Sequence, residues 1–509
     1  MSNTAIPPLI REMMEGNFYP HPVKEPIKLI QTHISYVLLT GNYVYKLKKS
    51  VNFGFLDFST LEARKHFCEE ELRLNQPNAP KIYLEVLPLG KAGDKFALGV
   101  EENIVDYALK MRQFSQSALL SNLLKQGQLT TAHMEELGRV VAQFHGQAHR
   151  NNYISSFGAV EQIRQAFDEN YQQTKKYLGR GQTPQQYEET QQFSDDFFRQ
   201  HREWLEKRQE KGWIRECHGD LHLGNICLWH AQILLFDRIE FNESFRFVDV
   251  MYDIAFTVID LDAQGRKDLS NRFLNAYVEE TGDWEGLLVL PLYLSRQAYV
   301  RGKVNSFLLD EADVAEEVKA QAREKADHYY HQAWEYTRPH QGKLILMSGL
   351  SGSGKSTVAR YLAAKLGAIH IRSDAVRKHL AGIGLHQLGN QEIYSSQMSA
   401  KTYQQLLNLG TKLACQGYPV ILDAKYDVQA RRTEVISQAQ REKLPLQIIY
   451  CTAPEQILRD RLAKRTGDVS DASADLLQTQ MAAQEAFTVQ EKPFVRILDT
   501  SGDWQGEFE

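Results

Sequence analysis

Leu344-Ile345-Leu346-Met347-Ser348-Gly349-Leu350-Ser351-Gly352-Ser353-Gly354-Lys355-Ser356-Thr357 is the stretch whose reading decides the fold of the C-terminal third. An apolar run reads as a buried strand. Residues 349–356 then meet G-x-x-x-x-G-K-[ST] at every fixed position, and 357–366 continue with a helical pattern. This is a phosphate-cradling loop in its required context. The backbone N–H groups of Gly349, Ser351, Gly352, Ser353 and Gly354 are free to wrap an anion, and the helix N-terminus, with Thr357 in its first turn, adds positive potential. Lys355 is expected to reach the β- and γ-phosphates of ATP, and the Ser356 hydroxyl to help hold Mg²⁺.

Working outward, residues 368–371 form the next apolar strand and run into Arg372-Ser373-Asp374-Ala375-Val376-Arg377. In a parallel sheet this strand ends over the same crevice. Asp374 is expected to take a proton from a substrate hydroxyl, and Arg377, one helical turn on, to grip an anionic substrate group. The plainer alternative is an Asp N-cap with a surface arginine. Val420-Ile421-Leu422-Asp423 is a third buried strand ending in a carboxylate. Asp423 is expected in the Mg²⁺ shell, or else as a turn-former before Lys425. Arg459, Arg461 and Arg465 cluster near Asp468, Ser470 and Asp471. Arg461 and Arg465 share a helical face and read as a lid over the triphosphate, the alternative being a solvated basic helix.

The chain has 509 residues, 43% hydrophobic and 24% charged, so it can bury real cores, and its length suggests several domains. Nothing approaches the roughly 18 apolar residues of a membrane span. The first ten residues lack the pattern of a signal peptide. Five cysteines with no C-x-x-C pair argue against a disulfide framework or a zinc site and point to a reducing cytoplasm. Net charge is −5, and from Gln341 onward 20 Lys and Arg stand against 17 Asp and Glu. That surplus is too small for a nucleic-acid tract. The expected boundaries are 1–337 for a first domain (small lobe about 1–115, large lobe about 116–337), a linker at 338–343, and 344–509 for the second. Residues 310–336 read as one long helix ending before Pro339.

The first half opens with strands at 36–39 and 44–47 about a Thr40-Gly41-Asn42 turn, then a helix at 61–74 and an alternating strand near 105–111. Its densest polar cluster is Cys217-His218-Gly219-Asp220-Leu221-His222-Leu223-Gly224-Asn225, followed by a strand ending at Asp237. Phosphoryl transfer needs a base near the acceptor hydroxyl and oxygen ligands that hold Mg²⁺ against the phosphates. Asp220 is the expected base, and Asn225 and Asp237 the expected metal ligands. His222, Trp229 and Cys227 read as packing or local hydrogen bonding, and Asp260 and Asp262 as solvated acids at a helix end.

His218 to Asn225 resembles the catalytic loop H-G-D-x-x-x-x-N of the aminoglycoside phosphotransferase family, relatives of the protein kinases. Asp237 resembles that family's metal-binding aspartate, residues 249–255 its following D-x-x-x-D-[LI]-A segment, and Phe144-His145 part of its preceding helix. The resemblance covers about residues 37–336. It implies an α+β bilobal fold, with a phosphate-gripping lysine on the third strand, Lys46 or alternatively Lys48, and a partner glutamate on the next helix, Glu71 being the one on its inward face. The turn at Thr40-Gly41-Asn42 departs from the family of protein kinases in having one glycine. Residues 349–356, Asp374-x-x-Arg377 and the late arginines resemble the P-loop kinases that include polynucleotide 5′-hydroxyl kinases, zeta-type toxins and small-metabolite kinases, which implies an α/β fold with a parallel sheet. Together the resemblances imply two ATP- and Mg²⁺-dependent phosphotransferase domains acting on small hydroxyl compounds, with no membrane partner. Two other readings stay open: one domain is a nucleotide sensor for the other, or the P-loop domain is a polynucleotide 5′-hydroxyl kinase.

Overall fold

The computed structural model describes residues 6–508 apart from positions 55, 94, 313, 465–468, 472 and 473. The chain forms two compact units: Met1–Leu129, Gln147–Asp260 and Leu292–Glu335 make the first, and Thr130–Gly146, Leu261–Pro291 and Tyr336–Glu509 the second. Among the described residues no helix is long and apolar enough to cross a membrane.

The first unit begins with six antiparallel strands: β1 Lys28–Gln31, β2 Ser35–Leu39, β3 Tyr43–Lys48, β4 Tyr83–Ala92, β5 Lys95–Leu98 and β6 Asp106–Arg112. They pair in the order β1-β2-β3-β6-β4-β5. Alternation along β3 decides what the sheet offers. Tyr45 and Leu47 join Leu38, Leu89 and Ala108 in a core on one face, so Lys46 and Lys48 emerge on the other. That second face is covered by helix Leu61–Asn75, whose Thr60 side chain accepts the Ala63 N–H and caps its start. Further on, β7 Ile214–Glu216 pairs with β10 Phe247–Asp249, and β8 Ile226–Trp229 with β9 Gln232–Leu235. Residues 217–225 therefore bridge β7 to β8, and Asp237 stands two residues beyond β9.

In place of the long helix expected at 310–336, the helix runs Glu316–Glu335. The Asp310 carboxylate accepts hydrogen bonds from Lys176 and from the Tyr177 hydroxyl, both at 2.6 Å. Asp310 is thus tied to Lys176 and Tyr177, far back in the chain.

The second unit is built on β11 Lys343–Ser348, β12 Ile369–Arg372, β13 Pro419–Asp423, β14 Leu446–Thr452 and β15 Val495–Asp499, all parallel, in the order β12-β13-β11-β14-β15. The phosphate-cradling loop leaves the central strand β11, and helix Lys355–Leu366 follows it. The outer edge of β12 would expose unpaired backbone groups. Helix Lys267–Thr281 supplies the partners: the Asn271 and Asn275 amides both donate to Ala368 O at 3.0 Å, and Asn275 Oδ1 accepts the His370 N–H at 2.7 Å. That is why 261–291, expected with the first domain on sequence, packs with the second unit.

Candidate active sites

In the first unit, the Lys46 ammonium lies 2.8 Å from Glu71 Oε1 and 2.6 Å from Asp237 Oδ1. Lys48 donates to Glu71 Oε2 at 2.6 Å and also pairs with Glu240. One carboxylate is thus shared by two lysines. The two differ in access: the Lys46 side chain is 16% exposed and faces Asp237, which is 42% exposed, whereas Lys48 is sealed at 1%. Burial opposes charge on all three groups, yet the carboxylates hold both lysines well above their usual range, and the two lysines hold the Glu71 carboxyl below its own.

The loop between β7 and β8 is fixed from several sides. The N–H groups of His218 and Gly219 donate to the two oxygens of Asp253 at 3.1 and 2.7 Å. Gly219 has φ +86°, and a Cβ there would meet Phe245 O at 2.7 Å, so only glycine fits. His218 Nδ1 accepts the Asp220 N–H at 3.3 Å, which leaves Nε2 to donate to Phe236 O at 2.9 Å. The Asn225 amide donates to both Asp220 O and Asp220 Oδ2, at 3.0 and 3.2 Å. The Phe236 N–H in turn donates to Asn225 O at 3.1 Å, which brings Asp237 beside them. Burial would raise the Asp220 carboxyl. The His222 ring, 3.4 Å away, with charge from His218 and Arg301, outweighs burial and keeps it below the usual carboxylate range.

Among the described residues, Asn225 Oδ1 and Asp237 Oδ2 receive no protein donor. Two uncommitted oxygens beside the expected base suit a hard cation such as Mg²⁺. Asp237 sits at φ +63°, in the left-handed region that is costly for a non-glycine residue. Its N–H donates to the Tyr83 hydroxyl at 3.0 Å, which helps hold this conformation.

Several residues around the site had no signal in the sequence. Arg238, next to Asp237, is buried and donates to Leu74 O, Glu216 O and Cys217 O at 2.8, 2.8 and 3.1 Å. It ties the end of the Glu71 helix to the strand that enters the loop 217–225. Glu240 anchors Lys48 from the other side. Asp260 and Asp262 correct an expectation, for neither is a solvated acid. Asp260 accepts the Leu223 N–H at 3.0 Å and lies 3.5 Å from Arg301. Asp262 accepts the Ser270 and Tyr336 hydroxyls, at 2.5 and 2.7 Å. Both carboxylates brace buried hydroxyl or amide groups, a use that spacing alone does not reveal.

In the second unit, Gly349, Gly352 and Gly354 all have positive φ. At Gly352 a Cβ would meet Leu458 O at 2.8 Å. The amides of Gly352, Gly354, Lys355 and Ser356 find no acceptor among the described residues, and the Ser353 hydroxyl is buried without a partner. Such a ring of donors, opening onto a helix N-terminus, fits a phosphate chain. Three amides expected to be free are committed instead: Gly349 N–H donates to Lys425 O at 3.0 Å, Ser351 N–H to Gln480 Oε1 at 3.0 Å and Ser353 N–H to Leu350 O at 3.2 Å. The Lys355 ammonium folds back onto Leu350 O at 2.7 Å. Burial pushes it down, and the nearby Asp423 and Asp374 carboxylates offset this in part. Thr357 is exposed on the third residue of the helix.

Asp423 ends β13 in register with Met347 of the central strand, and it accepts from His370 Nε2 at 2.9 Å. Burial would raise its carboxyl, but His370, Arg372 and Lys355 hold it far below the usual range. Asp374 is the second residue of helix Ser373–Leu380, whose N-cap position is Arg372, so Asp374 is not a cap. Arg377 is not a surface arginine. It is buried, donates to Ile393 O and Ser399 Oγ at 2.9 and 3.2 Å, and leaves its Nε unpartnered. Arg461 donates to Gly352 O, Thr500 Oγ1 and Thr500 O at 3.3, 2.9 and 2.6 Å. As placed, it braces the loop's carbonyl side instead of lying over a triphosphate. Arg459 pairs with Glu455 on the surface. Arg465 and Asp468 lie outside the described residues. Asp471 accepts from Lys378, Tyr394 and the Gly389 N–H at 3.1, 2.6 and 2.9 Å.

Residues 344–487 match the family model described as an AAA domain. An uncharacterized protein of Mycobacterium tuberculosis is 28% identical over 494 residues, which cover 96% of this chain and 95% of the relative. Among solved structures, a choline/ethanolamine kinase family protein from Mesorhizobium loti is 10% identical and covers 65% of this chain and 99% of its own, with a TM-score of 0.35. The APS kinase of Mycobacterium tuberculosis in complex with AMPPNP and APS is 23% identical and covers 33% and 94%, with a TM-score of 0.24. In chain order, an α+β unit on a six-stranded antiparallel sheet is followed by an α/β unit whose five-stranded parallel sheet carries the phosphate-cradling loop.

Proposed function

We propose that this chain is a bifunctional ATP-dependent phosphotransferase, each site moving the γ-phosphoryl group of ATP to the hydroxyl of a small acceptor. The observation that carries the reading is the contact set Lys46–Glu71–Asp237 beside Asp220–Asn225, five groups in the arrangement that phosphoryl transfer requires. In the first unit Lys46, oriented by Glu71, holds the ATP phosphates. Asp220 accepts the acceptor's hydroxyl proton as the new O–P bond forms and the bond to the leaving ADP breaks. Asn225 and Asp237 would hold Mg²⁺, which neutralises charge on the phosphates when bound.

In the second unit the unpaired amides of Gly352, Gly354, Lys355 and Ser356 receive the phosphates and Lys355 leaves Leu350 O to reach them. Asp374 serves as base, Arg377 draws the acceptor in, and Ser356 and Asp423 would hold the metal. The free thiols fit a cytoplasmic setting. The test is a metabolite-pool screen with γ-labelled ATP and wild-type protein. Labelled small-molecule phosphoesters are expected. ATP that is bound yet never yields a labelled product in any pool would contradict the proposal and favour nucleotide sensing.

A further inference from the structure

Within the second unit a cavity of about 320 Å³ opens beside β12, in the size class that takes small molecules. Its walls bring together Arg272 of helix Lys267–Thr281, Arg360 of the helix after the phosphate loop, and Arg372 at the end of β12. Three carboxylates share these walls, each facing a basic side chain, and Glu279 Oε1 accepts no hydrogen bond among the described residues. Glu135 pairs with Arg272, Glu279 lies 3.6 Å from Arg372, and Glu280 lies 3.8 Å from His386. Arg360 has no hydrogen-bond or ion-pair partner among the described residues, and Arg272 Nε is buried without one.

Two guanidinium groups facing one cavity, one of them unpaired, repel each other. The positive charge of Arg360 indeed adds to burial in lowering the Arg272 pKa. A structure tolerates such a pairing when an anion completes it, and the planar fork of arginine matches the oxygens of a phosphoryl group. We propose that this cavity is a phosphate-binding site, distinct from both nucleotide sites, whose ligand is inorganic phosphate or a small phosphomonoester. His370 lines the same cavity and bonds Asp423, so occupancy touches the expected metal end of the P-loop site through one side chain.

The test is calorimetric titration of the full chain, with both nucleotide sites saturated by a non-hydrolysable ATP analogue and Mg²⁺. Inorganic phosphate and glycerol phosphate are titrated separately into wild type and Arg360→Gln. One binding event per chain is expected in wild type, weakened at least tenfold in Arg360→Gln. The thermal midpoint of Arg360→Gln should be unchanged, because Arg360 holds nothing in place. Tighter binding of glycerol phosphate assigns the site to a phosphorylated metabolite, and equal or tighter binding of inorganic phosphate to the free ion. Absence of binding by either probe once nucleotide is saturating, or equal affinity in the variant, overturns the proposal. Because nucleotide occupancy is measured separately, either result leaves the kinase reading to its own test.

Discussion

Lys46 and Glu71 meet at 2.8 Å on the helix-facing side of the first sheet, and the other Glu71 oxygen is held by Lys48. The two lysines are two residues apart on one strand face, yet they stand in unlike surroundings. Lys46 reaches the open side at Asp237, and Lys48 is locked between Glu71 and Glu240.

Substituting each lysine should therefore separate function from stability. Lys46→Ala is expected to lose phosphotransfer at the first site by about 100-fold with a modest change in melting temperature. Lys48→Ala leaves buried Glu240 without its paired cation and Glu71 with Lys46 alone, and should destabilise the first unit by about 3–5 kcal/mol. Thermal unfolding alongside labelled-product formation distinguishes them. Equal effects of the two substitutions on both readouts would refute the division of labour.

Acid sensitivity should carry the signature of Glu71. Its folded-state value is depressed below the ordinary 4.5, because the charges of Lys46 and Lys48 outweigh burial. A depressed carboxyl contributes stability that is complete above its unfolded value and is lost as pH falls toward its folded value. Denaturant unfolding of wild type should therefore weaken steadily below about pH 4.5. Glu71→Gln, less stable throughout, should show a shallower fall over that interval. A parallel pair of curves would contradict this assignment.

Arg461 is expected to act on nucleotide binding through the loop it braces. Arg461→Ala frees Gly352 O and Thr500, and should weaken ATP binding at the second site by about tenfold, near 1.4 kcal/mol. Gly352→Ala, which forces a Cβ toward Leu458 O, should abolish that binding. Fluorescent-nucleotide titration measures both, using Asp237→Ala protein to silence the first site. Unaltered affinity in Arg461→Ala would show that the brace is not needed.

Motifs whose chemistry depends on neighbours in sequence were legible without coordinates. The phosphate loop needs its glycines, Lys355 and Ser356 in one run, and the His218–Asn225 loop likewise holds the proposed base and metal ligand within eight residues. The strands about residues 36–47 and the helix carrying Glu71 could be read from alternation and spacing. Long-range partners could not. Nothing local marks Arg238 as a tie between three segments, or Asp260 as the acceptor of the Leu223 amide. Arg461 looked like a lid residue because helical spacing shows a face but not what that face meets. The edge of β12 is covered by Asn271 and Asn275, nearly a hundred positions earlier in the chain, so domain limits drawn along the sequence missed that packing.

The proposed function places two independent phosphoryl-transfer centres in one chain. Its most direct test follows labelled phosphate from γ-labelled ATP into the acceptors found with wild type, comparing Asp220→Asn, Lys355→Ala and the double variant. Each single variant is predicted to lose one set of labelled products and keep the other, and the double variant to lose both. If Asp220→Asn and Lys355→Ala erase the same products, or if neither erases any, the two-centre account is wrong.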